Sequence, residues 1–149
     1  LDRFTAGWIS GVVGGVLMNL WDFFSFFVLQ FTQHTYVDWT SAMIYGKLST
    51  TTLEFIVALI LNFLFAGFLG SVLAMIIFVL GSDHYLLKGV IISTIFAFIF
   101  FTAPTLFQEP IFRTVPVDSV ISNYIGAIIW GLTVPAVLHR IDVKKTIKA

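Results

Sequence analysis

The stretch LEFIVALILNFLFAGFLGSVLAMIIFVL, residues 53–80, carries one ionisable side chain, Glu54, near its start and none after it. A run this long and this apolar reads as a transmembrane helix, because in hydrocarbon only a helix satisfies its own backbone polar groups within one segment. At 1.5 Å per residue it is about 40 Å long, against a hydrocarbon core of about 30 Å, so it is predicted to tilt or to project beyond the membrane. Three further apolar blocks flank it, at about 5–31, 86–107 and 119–138. The whole chain of 149 residues is 58% hydrophobic and 11% charged, with a mean hydropathy of +0.99. A soluble domain carries roughly a quarter charged residues. The sequence therefore predicts an all-α polytopic membrane protein, a single bundle over 1–149 with four transmembrane helices.

Punctuation between the blocks supports this division. Asp2, Thr51, Asp83 and Asp118 stand where helix caps are wanted, and Thr51 with Glu54 has the spacing of a capping box. The turn Gly81-Ser82-Asp83-His84-Tyr85 is short, which predicts an antiparallel hairpin of spans two and three. Pro110 and Pro116 exclude a continuous helix between spans three and four. Residues 32–50 mix Tyr36, Trp39, Met43, Ile44 and Tyr45 with polar residues, with Asp38 as cap and Gly46 as stop. They predict a short interfacial helix over 39–45, its Trp and Tyr in the headgroup layer, with a re-entrant segment as the alternative. The stretch after Asp2 and Arg3 lacks a small-residue cleavage site, so a retained helix is expected rather than a removed signal peptide.

Basic residues set an expected orientation. Arg3, Lys88, Arg140, Lys144, Lys145 and Lys148 fall on the side of the termini, and only Lys47 and Arg113 on the other. Under the positive-inside rule both termini are cytoplasmic.

Between helices in lipid, small residues mark close contacts. Gly7, Gly11 and Gly15 recur at intervals of four in span one. Ala58, Asn62, Ala66, Gly70 and Ala74 do so in span two, and Ser119, Asn123, Ala127 and Gly131 in span four. Gly7, Gly11, Gly15, Ala66, Gly70, Ala127 and Gly131 are thus the expected helix-packing positions, within the chain or between copies. Span three, mostly Ile and Phe, is expected to cover an outer face. Within it Pro104 frees a carbonyl and predicts a kink that the Thr102 and Thr105 hydroxyls re-satisfy. Lys88 is expected to snorkel to the membrane surface.

Asp22 has no punctuating role: it lies inside span one, seven residues beyond Gly15 on the glycine face. A charged carboxylate there costs several kcal/mol (about 2.5–3.5 kcal/mol on insertion scales) or else becomes protonated, and such residues usually face the bundle interior and find polar partners. Depth along the helices names Asn19, Asn62 and Asn123 as those partners. The cluster of Asp22, Asn19, Asn62 and Asn123 is either a structural network that fixes helix register or a proton, ion or substrate site.

Several function classes are excluded. Cysteine is absent, removing disulfides, thiolate metal sites and a Cys nucleophile together. His34, His84 and His139 lie outside the apolar blocks or at their ends, which argues against a haem held between spans. Walker, GxGxxG, HExxH and GxSxG patterns do not occur, nor does an arginine-rich span. Eight basic residues balance eight acidic ones, so no field points to nucleic acid.

Residues 11–19 (GVVGGVLMN), 86–89 (LLKG) and 122–127 (SNYIGA) resemble a group of small bacterial four-span integral membrane proteins of unknown function. The resemblance implies a bacterial inner membrane and four spans, and brings no active site. The resulting expectation is a non-enzymatic accessory or structural subunit, or a self-associating bundle. Its partners are membrane lipids and other membrane subunits or itself, and it needs no cofactor or metal. The alternative is a small oligomeric channel or carrier using the Asp22 cluster. A lipid-modifying enzyme ranks third, since one acid without a base or nucleophile makes a poor active site.

Overall fold

The structure is a computed structural model that describes residues 2–81, 83–107 and 110–148; of Thr105 and residues 142–148 it describes the backbone alone. Ser82 of the turn, the Thr105 hydroxyl and the side chains of Lys144, Lys145 and Lys148 lie outside the described residues. Every regular element among the described residues is helical: α1 (Arg3–Phe24), α2 (Tyr36–Tyr45), α3 (Thr52–Leu80), α4 (Tyr85–Leu106) and α5 (Val117–Lys148). A π-helical turn, Ser25–Leu29, extends α1, and a 3-10 turn, Pro110–Phe112, lies between α4 and α5. Four segments are long and apolar enough to cross a bilayer: Arg3–Leu29, Thr52–Leu80, Tyr85–Pro104 and Val117–Ile141. Their outward surface is apolar too, with Leu20, Phe27, Val79, Ile91, Ile95 and Phe98 all at least half exposed. Such a surface suits lipid, and the chain is an integral membrane protein built as an all-α four-span bundle. At 10 residues, about 15 Å, α2 is too short to span.

The helix ends show how local sequence sets these limits. The Asp2 side chain accepts from the Thr5 amide at 3.3 Å. Hydrogen bonds from the Thr5 side chain and amide hold the Asp2 carboxyl below the ordinary aspartate range. Thr51 and Glu54 form the expected capping box, and Lys47 pairs with Glu54 at 2.8 Å. At α2 the assignment shifts: Thr35 is the cap, Asp38 is its capping-box partner, and the helix begins three residues earlier than Trp39. Gly46 ends it in the left-handed region, φ 66°, its amide bonded to Ala42 at 2.9 Å. Asp118 is a first-turn residue rather than a cap, since the Pro116 carbonyl already accepts from Val120. Asp83 stands two residues ahead of α4, with His84 between them at φ 53°. The Lys88 ammonium reaches toward the helix ends: it donates to the Leu80 and Gly81 carbonyls at 2.9 and 2.8 Å, where a cation offsets the negative end of α3.

Close packing follows the small residues. Cβ atoms built on Gly7 and Gly11 would lie 2.8 Å from Ser71 Cα and from Gly70 Cα respectively, and one on Gly15 would lie 2.9 Å from Ala66 Cβ. The glycine face of α1 thus meets Ala66, Gly70 and Ala74 of α3, backbone against backbone. Polar bonds reinforce these contacts, among them Ser71 Oγ to Phe4 O at 2.8 Å, Arg3 Nε to Ala74 O at 3.0 Å, and Trp130 Nε1 to Gly11 O at 3.1 Å. On the other side α1 packs on α5, through Gly14 against Trp130 and Val134.

Span three is the least buried of the four, as expected of a helix covering an outer face, but it carries a small-residue seam of its own. α4 packs mainly on α5, where Gly89 and Ser93 crowd Gly131 so closely that a Cβ on Gly131 would stand 2.7 Å from Gly89 O. Pro135 in α5 has no amide to offer the Gly131 carbonyl, and its ring packs beside Gly89. α4 continues as helix through Pro104 to Leu106. The expected hairpin of spans two and three is splayed: α3 spends its small face on α1, α4 spends its own on α5, and the two touch little.

Candidate functional site

Asp22 is 1% exposed, and its Oδ2 accepts the backbone amide of Tyr36 at 2.7 Å. That amide is the first of α2, one of the donors every helix leaves without an internal partner. The intramembrane acid therefore caps a helix after all, but a helix 14 residues further along the chain. Its carboxyl group lies at the N-terminal end of α2, beside the capping box of Thr35 and Asp38. The expected bonds from Asp22 to Asn19, Asn62 or Asn123 are replaced by this one. A backbone amide at a helix start is already oriented and has no competing partner.

The asparagines do other work. Asn19 Nδ2 donates to Asn62 Oδ1 at 2.9 Å, Asn62 Nδ2 donates to Thr40 Oγ1 at 3.0 Å, and Thr40 Oγ1 donates to Tyr36 O at 2.9 Å. This chain ties α1 to α3 and α3 to α2. The Tyr36 hydroxyl completes the attachment by donating to the Asn123 carbonyl on α5 at 3.1 Å. Beside it, Ser25 and Ser122 share a hydrogen bond of 2.5 Å, and Trp21 Nε1 donates to Ser122 O at 3.1 Å. The structure brings Asn19 and Asn62 together. It leaves the side-chain oxygen of Asn123, with Asn19 Oδ1 and Asp22 Oδ1, buried and without a hydrogen-bond partner. Thr40 and Tyr36 belong to the cluster and were missed, because their role depends on where α2 docks.

The aromatics Tyr36 and Trp39 of α2 face the bundle. Trp39 is 7% exposed and stacks on Phe112 with centroids 3.7 Å apart, while Phe101 meets its edge at 5.3 Å. Held this way, α2 roofs a cavity of about 730 Å³ left by the splaying of α3 from α4. Leu61, Leu64 and Phe65 of α3 form one wall, and Phe96, Ala97 and Phe100 of α4 the other. Met18 of α1 and the buried Ala127 and Trp130 of α5 form the floor. Phe65 and Phe100 meet edge to face across it, ring centroids 4.9 Å apart. The rim carries the exposed side chains Met43, Ile44 and Leu64, so the cavity opens onto the apolar surface.

Among the described residues no three His, Asp or Glu side chains gather as metal ligands would. No known protein family, characterised protein or solved structure matches the chain. Fold and site together define a class: a four-span membrane bundle with a helix-roofed apolar cavity and a buried carboxylate that secures the roof.

Proposed function

We propose that the chain is a non-enzymatic integral membrane protein that acts as an accessory or structural subunit, through contacts made inside the bilayer with another membrane protein or with itself. The observation that carries this reading is the use of the buried polar groups. Asp22, Asn19, Asn62 and Thr40 direct their hydrogen bonds to joining α1, α2 and α3. A buried network of this kind favours one helix arrangement over its competitors, as a scaffold requires. Cross-linking in native membranes followed by mild solubilisation tests it. The expected product is a companion subunit or a homo-oligomer in fixed stoichiometry; a lone monomer after efficient cross-linking would end the reading.

A second reading, a small oligomeric channel or carrier, draws on the buried oxygens of Asn19, Asp22 and Asn123 that accept no hydrogen bond. Acids within spans mark ion and proton paths in many membrane proteins.

The proposal includes a bacterial inner membrane, supported by the resemblance of residues 11–19, 86–89 and 122–127, and cytoplasmic termini, supported by the six-to-two distribution of basic residues. Single cysteines at Lys47 and Arg113 should react with an impermeant thiol reagent added outside intact cells, and one at Lys145 should not. The reverse pattern would invert the topology.

A further inference from the structure

We propose that the cavity beneath α2 is a binding site for an uncharged, hydroxyl-bearing amphiphile of the monoacyl- or diacylglycerol type, with its chain among α3, α4 and α5 and its hydroxyl at Asn123. At about 730 Å³ the cavity falls within the range of small-molecule sites. Its polarity runs in one direction. The end away from α2, formed by Met18, Leu69, Phe96 and Trp130, is apolar. The polar groups there are occupied: Ser93 Oγ bonds Val90 O at 2.9 Å, and Trp130 Nε1 bonds Gly11 O at 3.1 Å.

The α2 end carries Tyr36, Thr40, Asn62 and Asn123. Three of these use their side chains on one another or on the bundle. Asn123 is the exception: 3% exposed, it borders both this cavity and the small space beside His34 and Ser119, and its buried side-chain oxygen has no donor. A buried acceptor without a donor is costly, and a ligand hydroxyl is the neutral group that removes that cost. No Lys, Arg or His lines the cavity, so a phosphate or carboxylate inside it would lack a counter-charge. Asn123 lies six residues into α5, about 9 Å from the helix start. A hydroxyl there with its chain running toward Trp130 has the orientation of a lipid in its own leaflet.

A partner helix fits less well. It is about 10 Å across and needs a groove open along the full depth of the bilayer. Here α2 closes one end, Phe65 and Phe100 meet across the middle, and the chain link from the end of α3 at Leu80 to the start of α4 at Tyr85 lies at the other. A flexible chain can enter between the exposed Met43, Ile44 and Leu64. This inference stands apart from the accessory reading, since a bound lipid is compatible with any partner or none.

Native mass spectrometry of the delipidated full chain, titrated with 1-monooleoylglycerol or methyl oleate, tests it. These probes share chain and ester and differ in the hydroxyls. The wild type should retain monooleoylglycerol about two- to tenfold more tightly, the range of one net hydrogen bond. Asn123→Ala should abolish the preference while keeping both ligands, and Ala97→Phe should lose both by filling the cavity. If Ala97→Phe does not fold, the Asn123→Ala comparison decides alone. Equal retention of the two probes by wild type, no retention of either, or capture of a polypeptide by a photo-cross-linker at Ala97 would overturn the proposal.

Discussion

Gly11→Leu is expected to be the most damaging single substitution in the bundle. A Cβ at this position already meets the Ala66 carbonyl, and it would lie 2.8 Å from Gly70 Cα and 3.0 Å from Gly67 Cα. All three obstacles are backbone atoms, which cannot swing aside as a side chain can. Overpacking a core usually costs about 1–3 kcal/mol, and more where the neighbour cannot relax. α1 and α3 would have to separate along the seam that holds Gly7, Gly15, Ala74 and the Ser71–Phe4 bond. Gly70→Leu should behave alike, because its Cβ would meet the Gly7 carbonyl and lie 2.5 Å from Gly11 Cα. Ile95→Leu is the control: Ile95 is 52% exposed on the lipid-facing side of α4. Thermal unfolding in a mild detergent should show a large loss for both glycine variants and almost none for the control. Equal tolerance at the three sites would mean that α1 and α3 do not meet through this face.

The second large effect concerns Asp22 and separates its structural role from a transport role. Asp22→Leu leaves the Tyr36 amide buried without an acceptor, at a cost of about 1–3 kcal/mol. The damage should be local, with faster hydrogen exchange over α2 (Tyr36–Tyr45) and a lowered melting temperature. Asp22→Asn keeps an oxygen for that amide and removes only the ionisable group. It should therefore fold with α2 docked. If the channel or carrier reading holds, the same Asn variant must lose a proton- or cation-dependent flux in liposomes despite folding normally. Unchanged exchange over α2 in both variants, together with unchanged flux, would remove Asp22 from both accounts.

What the sequence determines by itself is what depends on local pattern. The four spans follow from apolar runs such as 53–80, because hydrocarbon admits no other way to satisfy a lone segment's backbone. The Thr51–Glu54 box and the Gly46 stop are equally local, each settled within a turn of helix. The small residues of α1 and α3 announce a contact, and Gly89, Ser93 and Ala97 stand at the same interval of four in α4. Interval alone does not name the partner. Only the tertiary structure sends the α3 stripe to α1 and the Gly89–Ser93 part of the α4 stripe to α5, and so opens the cavity between α3 and α4. Asp22 shows the same division. Its burial is legible from its place in an apolar span, but its partner is the Tyr36 amide, a group that every residue except proline carries and that no side-chain pattern can mark. Which amide an acid reaches depends on where a ten-residue helix docks, and docking is decided by three-dimensional packing.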